Sequence, residues 1–370
     1  MIARDKPADG GKLLGLELLR FMAACAVLVW HYQHFAFDGA GIAVQRAQQP
    51  FYALLRPFYE YGWYGVQVFW SISGFIFCWR YRDSVASGAI GGWRFLVLRF
   101  SRLYPLHLTT LLLVALLQAV YTVQTGHHFV YPHNDGYHFL LQLFLASNWG
   151  LQAGYSFNGP IWSISVEVLV YVLFFVVLRV AGRSVLVNLA AVALAVGLRH
   201  AGLATAVTDC IGFFYAGALS ACLFRYSPPG RAGAVRTLAW LVTLGAPVLA
   251  WATLRAPAES TILYVLLGYV PCLMYCLAQP LRLGRRGTMA VEAAGNLTYA
   301  SYLLHFPLQL GIALYFAARG TPVPVYGTPL FVFFIGATFA GAHLTYRYLE
   351  APAQALLRRS LVAGAVRAAG

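Results

Sequence analysis

The chain has 370 residues, of which 60% are hydrophobic and only 10% charged. Soluble domains are nearer half apolar and a quarter charged, so this composition excludes an ordinary water-soluble globular protein. The formal charge of +14 matters through its distribution rather than its sum, and no nucleic-acid partner is expected.

Repeated apolar stretches close to the roughly 20 residues that cross hydrocarbon predict an all-α, polytopic transmembrane bundle. Ten spans can be drawn, at about 13–35, 61–80, 103–125, 159–179, 185–200, 207–225, 235–252, 260–279, 293–316 and 328–347. With the N-terminus in the cytoplasm, 20 Lys and Arg fall on cytoplasmic segments. Five (Arg46, Arg56, Arg199, Arg255, Arg319) fall outside, and Arg20 lies within the first span. That bias predicts cytoplasmic termini and a multi-pass protein of the inner membrane in contact with the lipid bilayer. The leader MIARDKPADGGK runs into the first span without a small-residue cleavage site, which reads as an uncleaved first helix. Neither an internal repeat nor an appended soluble domain is visible. Residues 1–370 are expected to form a single domain with its core at about 13–352. The six cysteines all lie in apolar spans without metal-ligand spacing and read as free thiols.

The first span, LLGLELLRFMAACAVLVWHYQHF, carries Glu17, Arg20, His31 and His34. Eleven residues make almost three helical turns, so Arg20 and His31 share a face about 16 Å apart along the axis. Glu17 is three residues before Arg20 and can pair with it. His34 lies one turn beyond His31, and Asp38 two turns beyond. A charged side chain at mid-span costs roughly 2.5–3.5 kcal/mol on insertion scales, so such a stripe implies a polar interior with a function.

In the second span, GVQVFWSISGFIF places Ser71, Ser73 and Gly74 together; small residues of this kind allow close helix approach. At the cytoplasmic entry of the third span, RFSRLYP sets Arg99 and Arg102 one turn apart. That spacing serves positive-inside flanking and also suits a polyphosphate. The outer loop HHFVYPHND holds His127, His128 and His133 and reads as a solvated loop. The following segment 137–150 is too short to cross and is expected to be interfacial or re-entrant. In the fourth span, NGPIWSISVEVLVYVLFF, Ser163, Glu167 and Tyr171 recur every fourth residue next to Trp162. No basic residue of that helix neutralises Glu167 before Arg179. In the ninth, GNLTYASYLLHFPLQL, Ser301, His305 and Gln309 again step by four beside Tyr302, with Pro307 expected to kink the helix. By position, His305 is expected near mid-membrane, with His31 and Glu167 in the outer half.

Taken in order, these segments resemble the acyltransferase 3 family of integral membrane acyltransferases. The resemblance runs from about residue 13 to 352. Its elements are Arg20, Ala23, Ala24, Val27 and His31 in an R-x-x-A-A-x-x-V-x-x-x-H arrangement, then GVQVFWSISGF, RFSRLYP, WSISVE, SYLLHFP and a closing YLEAP with Glu350 and Pro352. Two positions depart from the pattern: Gln67 stands where an acid is common, and Trp70 replaces a phenylalanine. The resemblance implies an acyl-CoA-dependent O-acyltransferase, most often an O-acetyltransferase, that modifies a glycan or another hydroxyl-bearing acceptor. It makes His31 the leading catalytic candidate, gives Arg20 a functional role, and makes Arg99 and Arg102 candidates for the nucleotide phosphates of CoA.

The expected scheme has acyl-CoA as a co-substrate rather than a permanent cofactor, with no metal. His31 acts as general base on the acceptor hydroxyl, and Glu167 or Asp38 orients its ring. Ser163, Ser73 or Tyr302 donates to the oxyanion, and Arg20, Trp162 and His305 complete the substrate pocket. The rival reading is a transporter or exporter of a glycan or anionic metabolite. Transporters show inverted halves with helices broken at matching positions, whereas the polar motifs here all differ. Neither the acceptor nor the oligomeric state is legible.

Overall fold

A computed structural model describes residues 12–226, 229–253 and 258–368, with side chains at 12–226, 232–249 and 258–361. Arg4, Lys6 and Arg255 of the charge tally lie outside the described residues, as do the side chains of Arg231 and Arg367. The described chain is helical: α1 (Leu14–His31), α2 (Tyr52–Tyr61), α3 (Gly65–Ala86), α4 (Gly92–Thr125), α5 (Gly136–Leu143), α6 (Ile161–Val180) and α7 (Val185–His200). There follow α8 (Ala206–Tyr226), α9 (Pro229–Thr253), α10 (Glu259–Leu277), α11 (Arg285–Ala318), α12 (Thr328–Thr345) and α13 (Ala351–Ala368). Among the described residues the only extended pairing is an isolated bridge between Phe37 and Ile42.

Among the described residues eight helices are long and apolar enough to cross a membrane, so the fold is the polytopic helical bundle expected, with fewer qualifying spans than ten. The shortfall has two sources. The helix α3 has 22 residues but carries Gln67, Ser71, Arg80 and Arg82, of which Gln67, Ser71 and Arg82 are buried; these polar groups lower its hydropathy. The helix α7 is apolar but has only 16 residues, about 24 Å of helix against about 30 Å of hydrocarbon. The segment expected at 137–150 contains α5, eight residues long and too short to cross.

The chain divides into two units. The first comprises described residues 12–21, 66–90 and 169–295. Its core joins Ile72, Phe75 and Trp79 of α3 to Ala218, Ala221 and Phe224 of α8 and Val270 and Met274 of α10. Glycine sets the α3–α8 spacing. A Cβ on Gly74 would stand 1.8 Å from the Phe214 carbonyl oxygen, and one on Gly217 would stand 1.9 Å from that of Ser71. Small residues on both faces bring the backbones together, which is how helices associate where lipid supplies no hydrophobic drive. Arg20 is ion-paired with Glu17 at 3.5 Å, as the three-residue spacing anticipates. Ser73 is half-buried in this unit.

The second unit comprises residues 22–65, 91–168 and 296–368. One cluster packs Val29, Tyr32 and Phe35 against Tyr59, Leu330, Phe331 and Phe334. Another packs Leu111, Val114 and Tyr121 of α4 against Phe129, Phe157, Phe306 and Leu310. The opposite face of α4 exposes Leu112, Leu116 and Val123, the last at 91%, which is the surface a bilayer would cover. Between α12 and α13 the helix widens into a single π-turn, Tyr346–Glu350, a distortion found mostly at functional positions.

Candidate active site

The polar residues of the second unit converge on α11. Proline at 307 has no N–H and so leaves the Leu303 carbonyl without its partner four residues on. The Asn158 side-chain amide supplies one, donating to that oxygen at 3.0 Å. Asn158 is fully buried and reaches α11 from a loop where Phe157 adopts φ 46°, a left-handed conformation that costs a non-glycine residue of order 1–3 kcal/mol. Val130 does the same at φ 59° immediately before Tyr131, whose ring stands 5.7 Å from that of His34.

With α11 held this way, His305 is completely buried on its inner face. The helix α1 ends at His31, and the chain tightens into a 3₁₀ turn, Tyr32–Ala36, that turns His34 inward. The ring centroids of His31 and His305 are 4.7 Å apart and those of His31 and His34 5.0 Å apart. Both His31 and His34 are buried. Gln309, one turn beyond His305, donates through Nε2 to the His31 carbonyl oxygen at 2.8 Å, satisfying an acceptor that the end of a helix leaves open. His31 and His305 thus meet at one level, rather than at the separate depths read from the sequence.

The tautomer of His31 follows from its partner. Nδ1 lies 2.9 Å from the Val27 carbonyl oxygen, which can only accept, so Nδ1 carries the proton and Nε2 holds the lone pair. The group on Nδ1 is thus a backbone carbonyl rather than one of the expected carboxylates. The Asp38 carboxylate is engaged by the backbone N–H groups of Gly41 (2.9 Å) and Ala40 (3.0 Å) in its own loop, which hold it below the usual carboxylate range. Glu167 is half-buried one turn along α6 from Ser163 and acts electrostatically on Tyr302 and Tyr299. Because the Val27 carbonyl occupies Nδ1, neither acid orients the ring from that side.

Ser163 and Tyr302 meet across α6 and α11, with 2.8 Å between their hydroxyl oxygens. Both hydroxyls also reach the Pro160 carbonyl, Tyr302 at 2.8 Å and Ser163 at 3.3 Å. Either group must turn from its present partner to serve an oxyanion. Trp162 is half-buried, with its ring 6.1 Å from that of Tyr155.

Arg99 and Arg102 are both half-buried on α4. Arg102 acts electrostatically on Glu350 and Tyr299, and the Tyr299 hydroxyl donates to the Leu103 carbonyl. Glu350 is buried in the π-turn with its Oε2 unpartnered. Along α11, Tyr299, Tyr302, His305 and Gln309 therefore link a guanidinium–carboxylate region to the imidazoles. The structure brings His31, His34, His305, Ser163, Tyr302, Glu167, Arg99 and Arg102 into one unit; Arg20 and Ser73 belong to the other. Sequence reasoning missed Asn158, Tyr131 and Tyr299. The signal for Asn158 was Pro307, since a buried proline requires a donor from elsewhere.

An interior of paired imidazoles, buried hydroxyls and arginines within a polytopic helical bundle defines a membrane protein equipped for group transfer. Over residues 13–347 the chain matches the family model described as an acyltransferase domain; it belongs to the acyltransferase 3 family and is a membrane acyltransferase. Neither a curated protein nor a solved structure matches it significantly.

Proposed function

We propose that the protein is an O-acyltransferase of the inner membrane that moves an acyl group, acetyl foremost, from cytoplasmic acyl-CoA to a hydroxyl of a carbohydrate acceptor such as an exopolysaccharide, a lipopolysaccharide or a lipid-linked sugar. The observation that carries this reading is the Val27–His31 hydrogen bond, which leaves Nε2 unprotonated beside a second buried imidazole. Nε2 removes the acceptor proton as the hydroxyl oxygen attacks the thioester carbonyl, a contribution of about 10²–10⁴-fold in rate. Arg99 and Arg102 hold the CoA phosphates at the cytoplasmic end of α4. The pantetheine arm then runs outward along the α11 stripe, past Tyr299 and Tyr302, to the imidazoles.

The test is transfer from acyl-labelled CoA by the purified protein and by its His31→Ala variant, with membranes from cells lacking the protein as the source of acceptor. The variant should lose at least about 100-fold in turnover. Undiminished transfer removes His31 from the chemistry.

A further inference from the structure

Acyl transfer from a thioester involves a second proton movement, to the departing sulfur, and the surroundings of His31 restrict which group can provide it. The Tyr302 and Ser163 hydroxyls are engaged with each other and with the Pro160 carbonyl. The Gln309 amide donates to the His31 carbonyl. His305 is different: it is completely buried, it stands 4.7 Å from His31 ring to ring, and its hydrogen-bonding contacts are with the backbone of Ser301 and Tyr302 on its own helix. A buried imidazole with no side-chain partner on either nitrogen is open to a ligand or a proton.

We propose that His305 relays the proton from His31 to the thiolate of the departing CoA. This rests on the reading of His31 as the base. The acceptor hydroxyl gives its proton to His31 Nε2 while its oxygen bonds to the thioester carbonyl carbon. The carbon–sulfur bond breaks with its electron pair on sulfur. His31 passes the proton to the ring nitrogen of His305 that the backbone contact leaves free, and the same nitrogen then gives it to sulfur. One proton moves in total, from acceptor hydroxyl to thiol, and His31 is restored. His305, like His31, returns to its starting neutral form.

The order along α11 puts the relay on the side the thioester reaches first. From the Arg285 end the stripe reads Tyr299, Tyr302, His305, Gln309, and Gln309 holds the His31 carbonyl. His305 is four residues, about 6 Å of helix, nearer that arginine-bearing end than Gln309. A donor entering past Tyr299 and Tyr302 meets His305 before Gln309. His34 is the competing imidazole. It lies toward Tyr131 and Phe306, away from that approach.

The test changes only the leaving atom. Acetyl-CoA is compared with its selenoester analogue, whose selenolate departs without needing a proton because selenols are much stronger acids than thiols. The quantity read is the ratio of selenoester to thioester transfer, measured on a single preparation, so that any misfolded fraction cancels. In His305→Asn and His305→Ala this ratio should rise about 100-fold over wild type, the lower end of what a positioned acid or base contributes. In His31→Ala both donors should be slow and the ratio should stay within about threefold of wild type, since the lost step is on the acceptor. A ratio unchanged in both His305 variants overturns the relay, as does a rise in His34→Asn in their place. Undiminished thioester transfer by His31→Ala overturns the base instead, so the two failures are distinguishable.

Discussion

The Asn158 side chain donates to the carbonyl of Leu303, the acceptor that Pro307 leaves without a helical partner. The proline turn that carries His305 is therefore held by an amide from a distant loop. Removing that donor strands a buried carbonyl, so Asn158→Ala should lower stability by about 1–3 kcal/mol. Asn158→Asp should not rescue it, because a carboxylate cannot donate. Pro307→Ala returns an N–H to position 307, and the Asn158→Ala/Pro307→Ala double variant should recover part of the loss. Thermal unfolding in detergent measures all four proteins. A double variant no more stable than Asn158→Ala alone would sink this account of Asn158.

Packing between α3 and α8 makes a second prediction. Gly74→Ala drives a methyl group toward the Phe214 carbonyl, where backbone rather than a flexible side chain must yield. Overpacking of this kind typically costs about 1–3 kcal/mol. Gly268 on α10 has open space around its Cβ position, and alanine favours helix over glycine by roughly 0.5–1 kcal/mol. Gly268→Ala should therefore hold or raise the unfolding midpoint while Gly74→Ala lowers it. Equal midpoints for the two variants would show that α3 and α8 are free to separate.

The residue types on the site's helices were legible because they contradict their surroundings. Imidazoles at 31 and 305 and a carboxylate at 167 stand out in apolar helices, and the four-residue steps of α6 and α11 announced which faces would be inward. Loops gave less. Nothing local to FNGPIW says that Asn158 reaches α11, since that contact depends on Pro307, 149 positions on. The same holds for Tyr131, whose approach to His34 depends on a left-handed residue at Val130. Asp38 shows the reverse error. Helical periodicity continued past His31 would have aligned it with the histidines, but the chain leaves the α-helix there, and its carboxylate caps a turn instead. The ten spans drawn from the sequence and the eight qualifying helices part at α3, whose buried polar groups lower its hydropathy, and at α7, which is short.

The loop before α5 carries a pH dependence of known sign. The Asp135 carboxylate accepts from the His138 backbone N–H at 2.9 Å and stands 2.8 Å from its imidazole, and these contacts lower its pKa. A depressed folded-state pKa means that the cap contributes above the unfolded value and is lost as pH falls through the folded one. Exchange of the His138 backbone N–H should thus be protected at neutral pH and accelerate, beyond its intrinsic pH dependence, only in acid below the ordinary carboxylate range. In Asp135→Asn that acid transition should vanish. Its persistence would assign the titration to another group.

Recognition of the acyl donor tests the cytoplasmic end of the stripe. A charge-assisted hydrogen bond contributes roughly 1.5–3 kcal/mol, so each arginine that grips a phosphate should be worth about 10- to 100-fold in affinity. Arg99→Ala with Arg102→Ala should accordingly abolish measurable acyl-CoA binding by the detergent-purified protein. Arg102→Lys keeps the charge but not the planar fork and should fall between wild type and the double variant. Raising salt from about 0.1 to 1 M shortens the screening length from about 10 to 3 Å and should weaken the wild type far more than the double variant. Isothermal titration with a non-hydrolysable acyl-CoA thioether gives these affinities without turnover. Salt-insensitive binding that survives loss of both guanidiniums would move the nucleotide away from α4, and with it the inward route of the thioester to His305.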